Sequence, residues 1–215
     1  MTKRLRVVQW ATGNIGTRAA QQVLRHPDLD LVGLLVFDPA KDGRDVGELC
    51  GAPATGILTT TDKSAILGLY PDCVLYMPRA AELDDVVAML SRGINIVTTC
   101  GDFQAGGRPL SDKNRARVAK ACEQGNSSIY ATGSSPGFIT DALPLALLSL
   151  QRRVDCIEIE EYANLSERNS PHLLFEQMGY GRPMGPPNPR RAEHLLAQFG
   201  PALDELAEAA GRPVA

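Results

Sequence analysis

Val7-Val8-Gln9-Trp10-Ala11-Thr12-Gly13-Asn14-Ile15-Gly16 runs from an apolar stretch straight into a tight turn with two glycines, after which a helical pattern opens. Such a turn lets backbone N–H groups approach a diphosphate, with the positive end of a helix dipole behind them. The register Ala11-Thr12-Gly13-Asn14-Ile15-Gly16 departs from G-x-G-x-x-G only by an alanine in the first position. Gly13 suits close backbone approach to phosphate and Gly16 suits close packing of helix on strand. Ala11 tolerates the turn only with a negative φ.

The flanking sequence extends the motif. Ile15, Ala19, Ala20, Val23 and Leu24 form one stripe at helical spacing, and His26-Pro27 closes that helix. Residues 29–37 are almost wholly apolar, as expected of a central parallel strand buried on both faces. Asp38 follows, 22 residues after Gly16, where the ribose-binding acid of a dinucleotide fold is expected about 20 residues on. Strand, turn, helix, strand and acid in this order predict a dinucleotide-binding βαβ unit with Thr12, Gly13, Asn14, Ile15 and Gly16 around the phosphates; the alternative is a βαβ unit whose glycines serve packing alone. Asp38 favours a ribose diol, hence NAD. Lys41 and Arg44, just beyond it, could neutralise a 2′-phosphate, hence NADP, or belong to a solvated loop.

The alternation continues. Short strands are predicted at residues 56–60, 73–77, 94–98 and 128–131, with helices opened by Asp62, by the acidic group Glu82, Asp84 and Asp85, and by Ser111. Residues 1–131 therefore read as a six-stranded, Rossmann-type doubly wound parallel α/β sheet. A boundary falls at residues 132–137. Beyond it come a helix at 138–150 despite Pro144, one half-exposed strand at 154–162, a short helix at 173–178, a Pro- and Gly-rich loop at 181–190, and a helical pair at 192–210 jointed at Gly200-Pro201. A lone strand cannot make a sheet, so residues 132–215 read as an incomplete α/β domain, from a truncated chain or one whose missing strands a neighbouring subunit supplies.

Composition narrows the class. With 44% hydrophobic and 22% charged residues the chain is of the globular kind. A net charge of −3 gives no reason to expect nucleic acid or an anionic membrane as partner. No apolar run has transmembrane length and the N-terminus lacks a signal-peptide core. Five dispersed cysteines without a C-x-x-C pair point to reduced thiols and a cytoplasmic location. Three histidines that share no helix face predict no metal site.

ATGNIG after VVQW, FDPAKDGRDVGELCG at 37–51, TGSSPGFITDALPL at 132–145 and LFEQMGYG at 174–181 together resemble the dihydrodipicolinate reductase-like oxidoreductases, and among them the branch of 2,4-diaminopentanoate dehydrogenases and related amine dehydrogenases. The resemblance implies a Rossmann domain followed by an α/β domain, a homodimer, a length well beyond 300 residues, and hydride transfer between NAD or NADP and a carbon–nitrogen bond of a small amine or imine. Dihydrodipicolinate reductase itself carries a paired-histidine motif; here the equivalent region has Glu160-Glu161-Tyr162 and a single His172. The related branch more often has Asn-Pro-Gly-Phe where this chain has Ser135-Pro136-Gly137-Phe138.

Oxidising an amine requires its nitrogen to be neutral, and the iminium form calls for a carboxylate. Asp102, after the strand at 94–98, lies at the carboxyl end of the sheet where ligands of open α/β folds bind. The resemblance, which places a functional glutamate in about this region, makes Asp102 the catalytic candidate; the alternative is a turn residue. Met77, Pro78, Thr99 and Cys100, also at strand ends, are expected to meet the cofactor through backbone or shape. Ser135, Gly137 and Phe138 at a helix start, and His172 one turn from Glu176, are the substrate-side candidates. The reading is an NAD(P)-dependent oxidoreductase of a carbon–nitrogen bond. The alternatives are a dihydrodipicolinate reductase, or an NAD(P)-binding or sensor module without catalysis.

Overall fold

A computed structural model describes residues 3–166, 168, 170–183, 185–186 and 188–212. The chain divides into two units, Met1–Gly133 and Ser134–Ala215. The first is built on five parallel strands: β1 (Leu5–Trp10), β2 (Leu29–Leu35), β3 (Cys73–Tyr76), β4 (Asn95–Thr98) and β5 (Ile129–Ala131), in the order β2-β1-β3-β4-β5. Helices α1 (Asn14–Arg25), α2 (Val46–Cys50), α3 (Lys63–Leu67), α4 (Leu83–Leu90), a short kinked α5 (Gln104–Gly107) and α6 (Asp112–Gly125) connect them.

β1 lies between β2 and β3, with apolar side chains buried on both of its faces. Val8 and Trp10 join Leu35, Val74, Tyr76, Met89 and Ile96 in one core layer, while Val7 joins Ala20, Val23, Leu31 and Leu34 in the other. Alternation of direction along an extended chain makes this division automatic. The caps act as the sequence predicts. The Asp62 side chain accepts from Ser64 and Ala65 N–H at the start of α3, Ser111 Oγ accepts from Asn114 N–H at the start of α6, and Gly93 sits past α4 with φ 79°. Gly125 lets α6 lie against the end of α4, since a Cβ there would stand 1.9 Å from the Leu90 carbonyl oxygen.

The expected strand at 56–60 is not a strand. It makes two isolated bridges, Leu35 with Thr60 in parallel and Asp45 with Leu58 antiparallel. The reason is competition for backbone groups. Thr59 N–H donates to Arg44 O, Gly43 N–H to Thr59 O and Val46 N–H to Ile57 O, each at 2.9 Å, so the loop before α2 takes the bonds a sheet neighbour would need. Its place is nevertheless the expected one: Val36 N–H donates to Thr60 O and Thr60 N–H to Leu34 O, outside β2. Counting it would turn the order into 3-2-1-4-5-6, that of two mononucleotide-binding halves.

Asp45 holds this loop. Its carboxylate accepts from Gly47 N–H at 2.7 Å, Gly56 N–H at 2.7 Å and Thr55 N–H at 3.0 Å, and from the Thr55 hydroxyl. These donors, Thr55 N–H first among them, hold its pKa below the ordinary aspartate value. A carboxylate depressed in the folded state contributes stability that is present above its unfolded pKa and lost as pH falls through the folded one. Asp45→Asn is therefore expected to lower the melting temperature at neutral pH and to shrink its fall on acidification. Equal acid sensitivity of the two proteins in a melting series below pH 5, on the order of one unit above the aspartate reference, would refute this.

The second unit opens with Ser135, Pro136 and Gly137 outside helical geometry, and then contains wide helical turns up to Ala142, α7 (Leu143–Leu148), a further wide-turned helix over His172–Gln177, and α8 (Pro189–Ala209). The expected helix from 138 exists, and it widens just before Pro144, where the missing N–H and the ring disturb ordinary i to i−4 bonding. Residues 154–162 carry no strand and form no ladder with any described segment. The helical pair expected at 192–210 is a single helix that runs through Pro201. No helix among the described residues is long and apolar enough to cross a membrane.

Candidate functional site

The parallel sheet ends in one row of chain reversals, and the first-unit candidates gather along it. The order of strands reverses between β1 and β3, which opens a crevice at the carboxyl ends of those two strands. Three bonds continue the ladder just past the strands: Ala11 N–H to Leu35 O at 3.0 Å, Met77 N–H to Trp10 O at 3.0 Å and Thr132 N–H to Thr98 O at 2.8 Å. Met77 is thereby fixed beside the end of β1, next to the glycine turn.

The turn itself has a support that the motif does not reveal. Gln9 is fully buried, and its Nε2 donates to Ala11 O at 2.9 Å and to Trp10 O at 3.2 Å. Gly16 packs over this arrangement: a Cβ there would stand 2.2 Å from Ala11 O and 2.8 Å from Gln9 Nε2. Gly13 differs. Its φ of −73° suits any residue, and a Cβ there would meet nothing within 4 Å. It caps α1 without a side chain, and Thr17 N–H is the first to bond back, to Gly13 O at 2.9 Å. No described side chain caps the N–H groups of the first turn of this twelve-residue helix.

Two expectations about this turn are corrected. Ala11 has φ 81°, not a negative value. Its N–H is tied to Leu35 and its carbonyl to Gln9, so the backbone is held in the left-handed region where alanine costs about 1–2 kcal/mol. Ile15 does not belong to the buried stripe of α1; it is 57% exposed, and the packed face begins at Gly16 and continues with Ala20 and Val23. One helical position lies too far round for Ile15 to reach the sheet.

Asp38 follows β2 and caps the short turn Pro39–Lys41, its Oδ1 accepting from Ala40 N–H at 3.0 Å. Lys41, partly buried, reaches back over the glycine turn, its Nζ at 3.3 Å from both the carbonyl and the hydroxyl oxygen of Thr12. Arg44 instead bonds Glu48 at 2.5 Å.

After β4, Thr98 Oγ1 accepts from Cys100 N–H at 3.0 Å, and Cys100 Sγ donates to Pro78 O at 3.6 Å. This links the ends of β3 and β4. Burial, with a further push from the Asp102 charge, raises the Cys100 pKa. Cys100 is thus a buried, protonated link rather than a nucleophile. Thr99 is half-buried, and Asp102 is exposed on the turn Gly101–Phe103. Sequence reasoning missed Gln9 and Thr98. Both are polar residues beside buried apolar ones near the carboxyl ends of their strands, and that was the available signal.

In the second unit, Gly137 has φ 134° and its N–H donates to Thr140 Oγ1 at 2.9 Å. Ser135 is half-buried, with a hydroxyl lacking a partner among the described residues, while Phe138 is 53% exposed. A cavity of about 1140 Å³ in this unit is lined by Pro136, Leu174, Phe175, Met178, Tyr180 and His194, among others. Ser135, Gly137, Phe138 and His172 are not in its wall. His172 is exposed, and Glu176, expected to share its face, bonds Arg182 at 2.7 Å.

No family model matches the chain. It is 32% identical over 188 residues to an amine dehydrogenase of Streptomyces virginiae, which covers 82% of this chain and 51% of that one. The chain thus spans about half the length of the curated relative it matches. Among solved structures it resembles an amine dehydrogenase from Mycobacterium smegmatis, with TM-score 0.60 and 21% identity, covering 72% of this chain and 46% of the other. It also resembles GenD2 from gentamicin A biosynthesis in complex with NAD, with TM-score 0.50 and 19% identity, covering 68% and 39%. At these identities the structural likenesses establish the fold.

Proposed function

We propose that this chain, like the amine dehydrogenases it is similar to, binds NAD or NADP at the carboxyl edge of its sheet and transfers hydride to or from the carbon–nitrogen bond of a small amine or imine. The observation that carries the reading is the uncapped start of α1, with open space over Gly13, at the point where the strand order reverses. The residues present fit a dinucleotide: N–H groups of the first helical turn for the diphosphate, Asp38 beyond β2 for the ribose, Met77, Pro78 and Thr99 along the strand ends. When bound, the nicotinamide ring supplies the hydride-carrying carbon. Asp102 has the remaining role: its carboxylate orients the substrate nitrogen, accepts its proton in the oxidative direction and balances the iminium charge in the other.

The test uses the single tryptophan, Trp10, which lies immediately before the glycine turn. Reduced cofactor is expected to quench its fluorescence saturably through energy transfer. With a panel of primary amines and amino acids as substrates, Asp102→Asn is expected to lower turnover about a hundredfold and to leave cofactor binding unchanged. Absence of saturable quenching by NADH and NADPH would sink the cofactor reading, and wild-type turnover in Asp102→Asn would remove Asp102 from the chemistry. Binding without turnover on any amine would favour the sensor alternative.

A further inference from the structure

We infer that Gln9 is a positioning residue for the cofactor: its buried amide holds Ala11 in the left-handed conformation that sets the glycine turn for a diphosphate, doing for alanine what glycine's own freedom would do there. This rests on the dinucleotide reading above and adds to it a residue outside the motif. Ala11 stands where G-x-G-x-x-G has its first glycine, and its φ is 81°. A residue with a Cβ prefers negative φ by about five- to thirtyfold in population. Some group must therefore hold Ala11 where it is.

Gln9 is that group. Its Nε2 donates to Ala11 O at 2.9 Å and to Trp10 O at 3.2 Å. Both neighbours are carbonyl oxygens, so only the nitrogen end of the amide fits against them. Trp10 O already accepts from Met77 N–H at 3.0 Å, which leaves Ala11 O as the acceptor that depends on Gln9. The other end of the amide gains nothing: Oε1 is buried and has no partner among the described residues. A buried amide oxygen without a partner costs stability, and a leucine in its place would carry no such cost. The strained Ala11 and the orphaned oxygen thus lie together, directly before the phosphate-facing turn. Two local costs at one point of a well-packed unit mark a place shaped for a ligand rather than for stability.

Ala11 N–H is tied to Leu35 O at 3.0 Å, and a Cβ on Gly16 would stand 2.2 Å from Ala11 O. The peptide after Ala11 therefore sets how α1 leaves β1. Released to a negative φ, that peptide would turn, and Thr12 and Gly13 with it. A cofactor would then find only the fraction of molecules that keeps the left-handed turn, and its apparent affinity would fall by that fraction.

The experiment is a calorimetric titration with NADH and NADPH, joined to chemical denaturation, of the wild-type chain, Gln9→Leu, Ala11→Gly and the double variant. Gln9→Leu is expected to weaken both cofactors about tenfold, with an unfolding midpoint at or above that of the wild type. Ala11→Gly alone is expected to bind within about twofold of the wild type and to unfold no earlier, since glycine adopts positive φ freely. In the double variant the turn no longer has to be held, and affinity is expected to return to within about twofold of the wild type. A residue that merely supports the fold would lower the unfolding midpoint when lost, and glycine at position 11 would not rescue it. Wild-type affinity in Gln9→Leu, an earlier unfolding of Gln9→Leu or of Ala11→Gly, or a loss of affinity that persists in the double variant would each overturn this inference while the dinucleotide reading stands. Failure of the wild-type chain to bind either cofactor would overturn both.

Discussion

Gly16→Ala is expected to destabilise the first unit by about 3 kcal/mol, at the upper end of the usual cost of overpacking a filled site, and to remove dinucleotide binding with it. The added methyl group would have to occupy a point 2.2 Å from Ala11 O and 2.8 Å from Gln9 Nε2. Neither can yield cheaply. Ala11 O is backbone in a residue already at φ 81°, and Gln9 is a fully buried side chain whose amide bonds that same carbonyl. Moving α1 outward would instead separate Ala20 and Val23 from the sheet layer that buries them. Chemical denaturation followed by circular dichroism measures the loss. An unfolding midpoint equal to that of the wild type would mean that the close approach of α1 to β1 is not what Gly16 provides.

Gly13→Asp separates ligand from fold at a position three residues away. Its backbone conformation is open to any residue and there is room for a side chain. An aspartate there becomes an N-cap for a helix that has no side-chain cap, so stability is expected to hold or to rise by a few tenths of a kcal/mol. The same carboxylate would stand where a diphosphate must come, and charge repulsion at partly desolvated range is worth about a hundredfold in affinity or more. The expected result is a wild-type melting curve together with loss of NADH and NADPH quenching. Unchanged cofactor affinity in the folded variant would show that the space over Gly13 is not the phosphate site, whatever the motif suggests.

The two halves of the chain differ in how far their sequence can be read, for a physical reason. From β1 to Asp38 every signal is local: an apolar run, a glycine turn, a helical stripe and a strand followed by an acid, each decided by neighbours a few residues away. The same holds for the caps at Asp62 and Ser111. Residues 56–60 have strand character, but whether they pair with β2 or with the loop at 43–46 depends on competition for the same N–H and C=O groups, which composition does not encode. Residues 154–162 alternate as a strand should, yet alternation selects a face and does not supply a partner. Gly200-Pro201 looks like a break, and the helix continues because the helical residues on both sides sustain it. The sign of φ at Ala11 was out of reach for another reason. It is imposed by the bonds from Gln9 and to Leu35, which exist only once the sheet is formed. The frame on the cofactor side, from β1 through the glycine turn and α1 to Asp38, was thus legible nearly residue by residue. The substrate side was legible only as motifs, and the cavity of the second unit is walled largely by residues other than those singled out.

The burial that keeps Cys100 inert applies across the first unit. Cys50 and Cys100 are buried, Cys73 and Cys122 half-buried, and desolvation raises the pKa of all four. Cys156, in the second unit, is exposed. The chain therefore carries a natural attachment point for a maleimide dye or spin label on one unit and a native fluorophore, Trp10, on the other. The second unit can thus be labelled selectively without introducing a single substitution.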